Sequence, residues 1–333
     1  MLAPSQIPLD DHLPQLAEVA SESVMRALFT AHFDAGWSLK RIRIKEARYH
    51  PGMACLLTYQ LRCVHQAGED VRLILHARAF PPGEAPSAFT RRPPLATAVG
   101  RLPSFLPQAH MALWLFPDDP GILGMADIVR RGSGLFDQQA LDAPPWSGRR
   151  PELRADVVRY VPSKRCVLRY EYEQGGDGAF FGKVYGSHVD AALLYKQMCA
   201  LYAWAEESAP EVRIGRPLGC DARQNAIWQA SPGGEPLPSL LPDIDLPEAM
   251  RHIAAAVAAL HRGPVQPTHT QPVSDEWRKL ERARKVLLRF HPELSREIHA
   301  TLDPLQALQP DEPQELRPIH GDLHCSQILI KDL

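Results

Sequence analysis

Apolar residues first recur at helical spacing. In "LPQLAEVASESVMRALFTAHF", Leu16, Ala20, Val24 and Leu28 predict one amphipathic opening helix. The period then changes to two. "RIRIKEARY", "ACLLTYQLRCVH" and "VRLILHARAF" alternate or are rich in β-branched residues, and the turn-forming "HPGM" and "QAGED" separate them into three strands. A proline-rich stretch, "RRPPLATAVGRLPSFLPQAHMALWLFPDDPGILG", carries only short apolar runs. Further on, "HVDAALLYKQMCALYAWAEE" predicts a helix, "NAIWQ" a strand and "SPGGEP" a turn. Helices follow in "PEAMRHIAAAVAALHR" and "SDEWRKLERARKVLLRFHPELSREIHATLDPLQAL". Strands early, helices late and a short strand pair near the end predict an α+β, two-lobed chain.

The chain also repeats itself. "RYHPGMACLLTYQL", Arg48 to Leu61, aligns without a gap on "RYVPSKRCVLRYEY", Arg159 to Tyr172, sharing Arg, Tyr, Pro, Cys, Leu and Tyr at equivalent places. Downstream, "LHARAF" around Arg78 corresponds to "FGKVYG" around Lys183. Two related strand-turn-strand-strand units are therefore expected, with Tyr49, Tyr59, Tyr160 and Tyr170 in the sheets' core or on their faces. Pro, Gly and Ser concentrate in "LDAPPWSGRRPE", which marks a boundary between units.

Composition narrows the function. At 333 residues and 45% apolar, the chain can bury a sizeable core. A net charge of −2 gives no electrostatic footprint for nucleic acid or an anionic membrane, so small-molecule partners are expected. No stretch reaches the roughly 20 apolar residues of a membrane span, and "MLAPSQIPLDDHLPQ" lacks the basic and apolar regions of a leader; a cytoplasmic location is expected. Six cysteines without a CxxC pair fit reduced thiols.

The richest chemistry lies in "RPIHGDLHCSQILIKDL". There a tight His320-Gly321-Asp322 turn leads into the apolar Ile328-Leu329-Ile330 run. Phosphoryl transfer needs an Asp that orients the acceptor hydroxyl and takes its proton, with an oxygen ligand for Mg2+ a few residues on. Asp322 fits the first role and Gln327 the second. The plainer alternatives are a turn aspartate bonded to its own backbone, or a zinc site on His320, His324 and Cys325 that lacks a second cluster. "QGGDGAFFGK" reads as a hairpin turn, and neither GxxxxGK[ST] nor a strand-borne GxGxxG occurs.

This loop resembles the HGDxHxxN catalytic loop of the aminoglycoside phosphotransferase and choline kinase superfamily. Its HGDxHxxQ form is similar to the bacterial maltokinase and glucosamine kinase branch. The resemblance implies a protein kinase-like two-lobed fold: an N-terminal cap domain over 1–140, an N-lobe over 141–230 and a partial helical C-lobe over 231–333. It also implies ATP and Mg2+ as cofactors and a hydroxylated small molecule, a sugar or aminoglycoside-like compound, as acceptor. Lys183 would face the nucleotide phosphates from the third strand, and the backbone of Gln229, Ala230 and Ser231 would meet the adenine. The clamp over the phosphates falls on "VPSKRC", with Ser163, Lys164 and Arg165. The family's IDF segment, with its metal-binding Asp, would follow Leu333, so the C-lobe is expected to be incomplete. Two readings stand side by side: a small-molecule kinase, or a catalytically impaired pseudokinase-like nucleotide binder.

Overall fold

The computed structural model describes residues 10–131, 152–172, 179–209, 211–264, 270, 272–308, 317–319, 321 and 323–331. By contacts, the chain divides into two compact units: Met1–Arg130 with Tyr160–Arg165, and Arg131–Arg159 with Cys166–Leu333. Strands and helices mix throughout, so the fold is α+β.

In the first unit, the expected opening helix is two helices, α1 (Leu16–Val19) and α2 (Glu22–Thr30). The break has a local cause: Ser21 adopts an extended conformation and its hydroxyl accepts the Val24 N–H, which starts a new helix there. The buried face consequently runs through Leu16, Val19, Met25 and Phe29, leaving Val24 exposed.

The three expected strands are β1 (Trp37–His50), β2 (Ala54–His65) and β3 (Asp70–Ala79). Alternate β2 residues Cys55, Leu57, Tyr59, Leu61 and Cys63 are all buried, as a half-buried strand requires. Phe29 of α2 meets the Tyr59 ring edge-on at 5.4 Å, and the Tyr59 hydroxyl donates to the Val19 carbonyl at 2.6 Å. The proline-rich stretch folds into α3 (Ser87–Thr90), β4 (Leu95–Thr97), β5 (Gly100–Leu102), β6 (Phe105–Leu106) and β7 (Met111–Leu115). It ends at α4 (Met125–Arg131). β7 is four residues of buried core plus one half-buried leucine, and it sits inside an antiparallel sheet of order β1-β2-β3-β7-β6.

The second unit contains β8 (Leu153–Val161) up to Arg159, β9 (Arg165–Tyr172) from Cys166, β10 (Phe180–Tyr185), α5 (Ala191–Ser208), β11 (Pro217–Asp221) and β12 (Ala226–Ala230). Its sheet runs β11-β12-β10-β9-β8. Each sheet is thus a three-strand meander whose third strand pairs with the fifth, the fourth lying outside, so the repeat seen in sequence extends to all five strands. Asn225, at φ 51°, joins β10 to α5: its amide nitrogen donates to the carbonyls of Tyr185, Gly186 and Val189, and its oxygen accepts the Ala191 N–H.

Beyond the sheet lie β13 (Glu235–Pro236), α6 (Leu237–Leu240), α7 (Leu246–Leu260), α8 (Val273–Phe290), α9 (Ser295–Ala307) and β14 (Leu329–Ile330). The single long helix expected after Ser274 is α8 and α9, separated by a 3-10 turn at Pro292–Leu294, where Pro292 has no N–H to donate to the preceding turn; α9 itself runs through Pro304. His261 is the C-cap of α7. Among the described residues no helix is long and apolar enough to cross a membrane. The boundary segment "LDAPPWSGRRPE" falls outside the described residues apart from Glu152, and so does all of "QGGDG".

Candidate active site

Along β10, Phe180, Gly182 and Val184 are buried while Phe181, Lys183 and Tyr185 are half-buried, so strand alternation turns Lys183 onto the opposite face from the core positions. Gly182 must be glycine: a Cβ there would lie 2.8 Å from Trp228 Nε1 and 3.0 Å from the Tyr170 ring. Tyr170 in turn stacks on Phe180 at 4.8 Å. On the other face Lys183 Nζ donates to Gln229 Oε1 of β12 at 2.9 Å. Two of the residues singled out in sequence are therefore joined directly.

The strand β12 continues into Ala230 and Ser231. The Ala230 N–H donates to the Arg216 carbonyl at 2.8 Å and the Ser231 N–H to the Ala179 carbonyl at 3.1 Å, so both are engaged within the unit. A cavity of about 410 Å³ opens beside them, lined by Tyr202, Arg213, Arg216, Ala230 and Ser231 among others; Lys183 does not line it.

Gly233 and Gly234, at φ 74° and 86°, then turn the chain onto β14. The approach at Gly234 excludes any side chain, since a Cβ would sit 2.7 Å from the Ile330 carbonyl oxygen. Glu235 pairs with Ile330 and Pro236 with Leu329, and the Leu237 N–H donates to the Ile328 carbonyl at 2.9 Å. The segment after β12 is thereby tied to the strand leaving the "HGDLHCSQ" loop.

Within that loop, Asp322 and His320 lie outside the described residues. Gln327 closes a 3-10 turn: its Oε1 accepts the His324 N–H at 3.2 Å, and its own N–H donates to the His324 carbonyl at 2.9 Å. His324 Nδ1 is paired with the Ser326 hydroxyl at 2.7 Å. Among the described residues no group of three His, Cys, Asp or Glu side chains could hold a metal ion.

The turn singled out as the phosphate clamp belongs by its contacts to the first unit. Its anchor is Asp119, 4% exposed, which accepts the Tyr160 hydroxyl at 2.6 Å, the Ser163 N–H at 2.6 Å and the Gly121 N–H at 2.7 Å. Trp114 Nε1 donates to the Tyr160 hydroxyl at 2.9 Å. Ser163 adopts φ 59°, and its hydroxyl oxygen is buried without a hydrogen bond among the described residues. Lys164 and Arg165 are the exposed cations of the turn. Burial pushes the Asp119 carboxyl above its usual range, against the pull of its three donors.

Asp119 was not singled out in sequence, although the repeat holds its counterpart. Asp10 accepts the Tyr49 hydroxyl at 2.7 Å, the Gly52 N–H at 2.7 Å and the His12 N–H at 2.9 Å, with Gly52 at φ 67°. Burial works to raise the Asp10 carboxyl, and these donors outweigh it, leaving it below the usual range. Leu13, Leu16 and Val19 after Asp10 match Ile122, Met125 and Ile128 after Asp119, all buried. Each copy therefore begins at an aspartate that fastens its own hairpin turn.

His76 on β3 borders this node. It is 8% exposed, its Nδ1 is 3.2 Å from the Thr58 hydroxyl, and the Tyr160 and Trp114 rings lie 5.0 and 6.0 Å away. Burial pushes its pKa down to about 4, with Glu46 acting weakly in the other direction. The unfolded chain therefore binds a proton between pH 6.5 and 4 that the folded chain refuses, and stability falls as pH falls through that window. Between pH 7 and pH 5 the loss from this group should be about 2 kcal/mol. Urea unfolding at both pH values checks it: His76→Gln should remove most of that difference.

A family model, that of the phosphotransferase enzyme family (APH), matches residues 158–332. The match begins inside β8 and runs through the sheet of the second unit, the helices and the "HGDLHCSQ" loop. The chain belongs to the phosphotransferase enzyme family. None of the curated proteins matches it.

Proposed function

We propose that the chain is an ATP-dependent kinase that phosphorylates a hydroxyl of a small molecule, a sugar or aminoglycoside-like compound. The observation that carries this reading is Lys183: it stands on the third strand of the matched sheet, on the face away from the core, and is held by Gln229. A kinase-type fold places its phosphate-binding lysine on that strand. In this reading the sheet of β8 to β12 is the nucleotide-binding lobe, α7 to α9 begin a helical C-lobe, and residues 1–140 form a cap. Lys183 neutralises phosphate charge, Gln229 keeps its ammonium directed, and Asp322 orients the acceptor hydroxyl and takes its proton. Gln327, in place of the more usual Asn, favours the sugar-kinase branch.

The donor set bears on the metal. Mg2+ is held through one or two carboxylates together with substrate phosphates. The described residues offer the Gln327 amide oxygen, already accepting the His324 N–H, which suits an auxiliary ligand and not the principal one. The second reading is a nucleotide binder with impaired transfer.

Thermal unfolding with and without ATP, in the presence and absence of Mg2+, tests both. A ligand at a hundred times its Kd stabilises the folded state by about 2.7 kcal/mol. ATP is expected to raise the melting temperature, and Lys183→Met should cut that rise by weakening ATP binding about tenfold. A metal-dependent phosphorylated sugar completes the kinase reading, whereas a shift without product favours the binder. No shift and no product would sink both.

A further inference from the structure

We propose that the open face of the first sheet is a second binding site, which takes a compact, multiply phosphorylated small molecule on Arg41, Arg43, Arg62 and Arg72. The register creates it. Arg41 of β1 stands directly opposite Arg62 of β2, and Arg62 directly opposite Arg72 of β3, so three guanidinium groups share one row across three strands. Arg43 stands in the next row, opposite Gln60. A β-bulge between Leu39 and Arg41 sets this alternation, keeping Leu39, Ile42 and Ile44 in the core and both arginines on the open face.

Like charges directly opposite one another weaken a sheet, and three in a row do so twice. The protein offsets this only in part. Asp70 forms a two-pronged ion pair with Arg62, 2.6 Å from Nη2 and 2.9 Å from Nε. Among the described residues no carboxylate forms a close ion pair with Arg41, Arg43 or Arg72, all of them exposed, and Asp70 reaches Arg72 only through its longer-range field. The four guanidinium groups line a groove of about 190 Å³ together with Gln60 and Leu61.

The shape of the site identifies its occupant. Adjacent strands are about 4.8 Å apart, so the row spans about 10 Å, a length that suits two or three linked phosphates. Arginine forks grip phosphate oxygens in pairs, as single ammonium charges do not. Along β3 the row is bounded: Asp70 flanks it at one end, and the half-exposed apolar Ile74 faces Gln60 on the other side. A nucleic acid would need a longer basic track, and a net charge of −2 supplies no wider field to hold one. Lacking a nucleoside pocket in the groove, the site reads phosphate and not base.

Isothermal titration of the full chain with inorganic tripolyphosphate and pyrophosphate, at ionic strength held constant with NaCl, tests the site. One-to-one saturable binding is expected, weakened at least about tenfold in the Arg41→Gln/Arg72→Gln double variant. Without anion, that variant should melt at or above the temperature of the unmodified protein, because the row's repulsion is relieved. Absence of saturable binding, or binding undiminished in the double variant and lost in Lys183→Met, overturns the proposal by removing the probe from this face. Tighter binding of a single-stranded oligonucleotide than of tripolyphosphate, lost in the same double variant, overturns the small-molecule occupant.

Discussion

Replacing Asp322 with alanine is expected to slow phosphoryl transfer by about a hundredfold to ten-thousandfold, while ATP still raises the melting temperature. The reasoning is chemical. A neutral sugar hydroxyl attacks a phosphoryl group poorly unless its lone pair is aimed along the line of transfer and its proton has somewhere to go. In the proposed mechanism the Asp322 carboxylate supplies both, and Lys183 and the other phosphate-binding groups are untouched by the substitution. The loss should therefore appear in kcat, with KM for ATP little changed. Asp322→Asn separates the two parts of the role: it keeps an oxygen that can orient the hydroxyl but cannot take up a proton, so it should fall with alanine if proton transfer dominates. A steady-state assay with glucosamine and maltose as acceptors measures this, with melting temperatures of the variants confirming an intact fold. Transfer unchanged in Asp322→Ala would remove the residue from the reaction.

How much of this was legible in advance depended on whether the signal was local. The strands around Tyr59 and Tyr170 were readable because period-two alternation is written into consecutive residues, and both tyrosines are buried as the repeat predicts. β7 was not, since "MALWL" is short, uniformly apolar and set among prolines; its place beside β3 comes from partners more than thirty residues away. The break between α1 and α2 turns on Ser21, whose capping bond competes with an apolar spacing that would also suit one continuous helix. Asp10 and Asp119 were hidden for another reason. They stand 109 positions apart, whereas the hairpins they fasten stand 111 apart, so the gapless alignment that reveals the hairpins passes over them. Leu13, Leu16 and Val19 against Ile122, Met125 and Ile128 would have supplied the missing register. The pairing of Lys183 with Gln229 had a sequence basis in the positions but none in the bond, because the register between β10 and β12 is fixed by the sheet and not by spacing.

Those paired aspartates lead to the largest stability effect expected in the molecule. Asp119→Ala should cost about 3–5 kcal/mol of folding stability, because it strands three donors, the Tyr160 hydroxyl and the N–H groups of Ser163 and Gly121, at a site 4% exposed. The cost of each unpaired buried donor outweighs the relief of no longer burying a carboxylate, whose raised pKa records how unfavourable that burial is. Asp119→Asn should cost less: its one oxygen can take the place that receives Tyr160 and Ser163, leaving the amide nitrogen against the Gly121 N–H alone. Asp10→Ala provides the internal comparison. It frees the same three kinds of group, yet Tyr49 is only half-buried and water can reach its hydroxyl, so the loss should be smaller by about half. Urea unfolding of the three variants beside the unmodified chain gives the ordering, Asp119→Ala worst. If Asp119→Ala and Asp10→Ala proved equally mild, water would be satisfying both turns, and the aspartates would be ordinary turn residues. If the expected order holds, the turn of Tyr160 to Arg165 owes its shape to Asp119, and the strain at Ser163 is maintained by that one carboxylate.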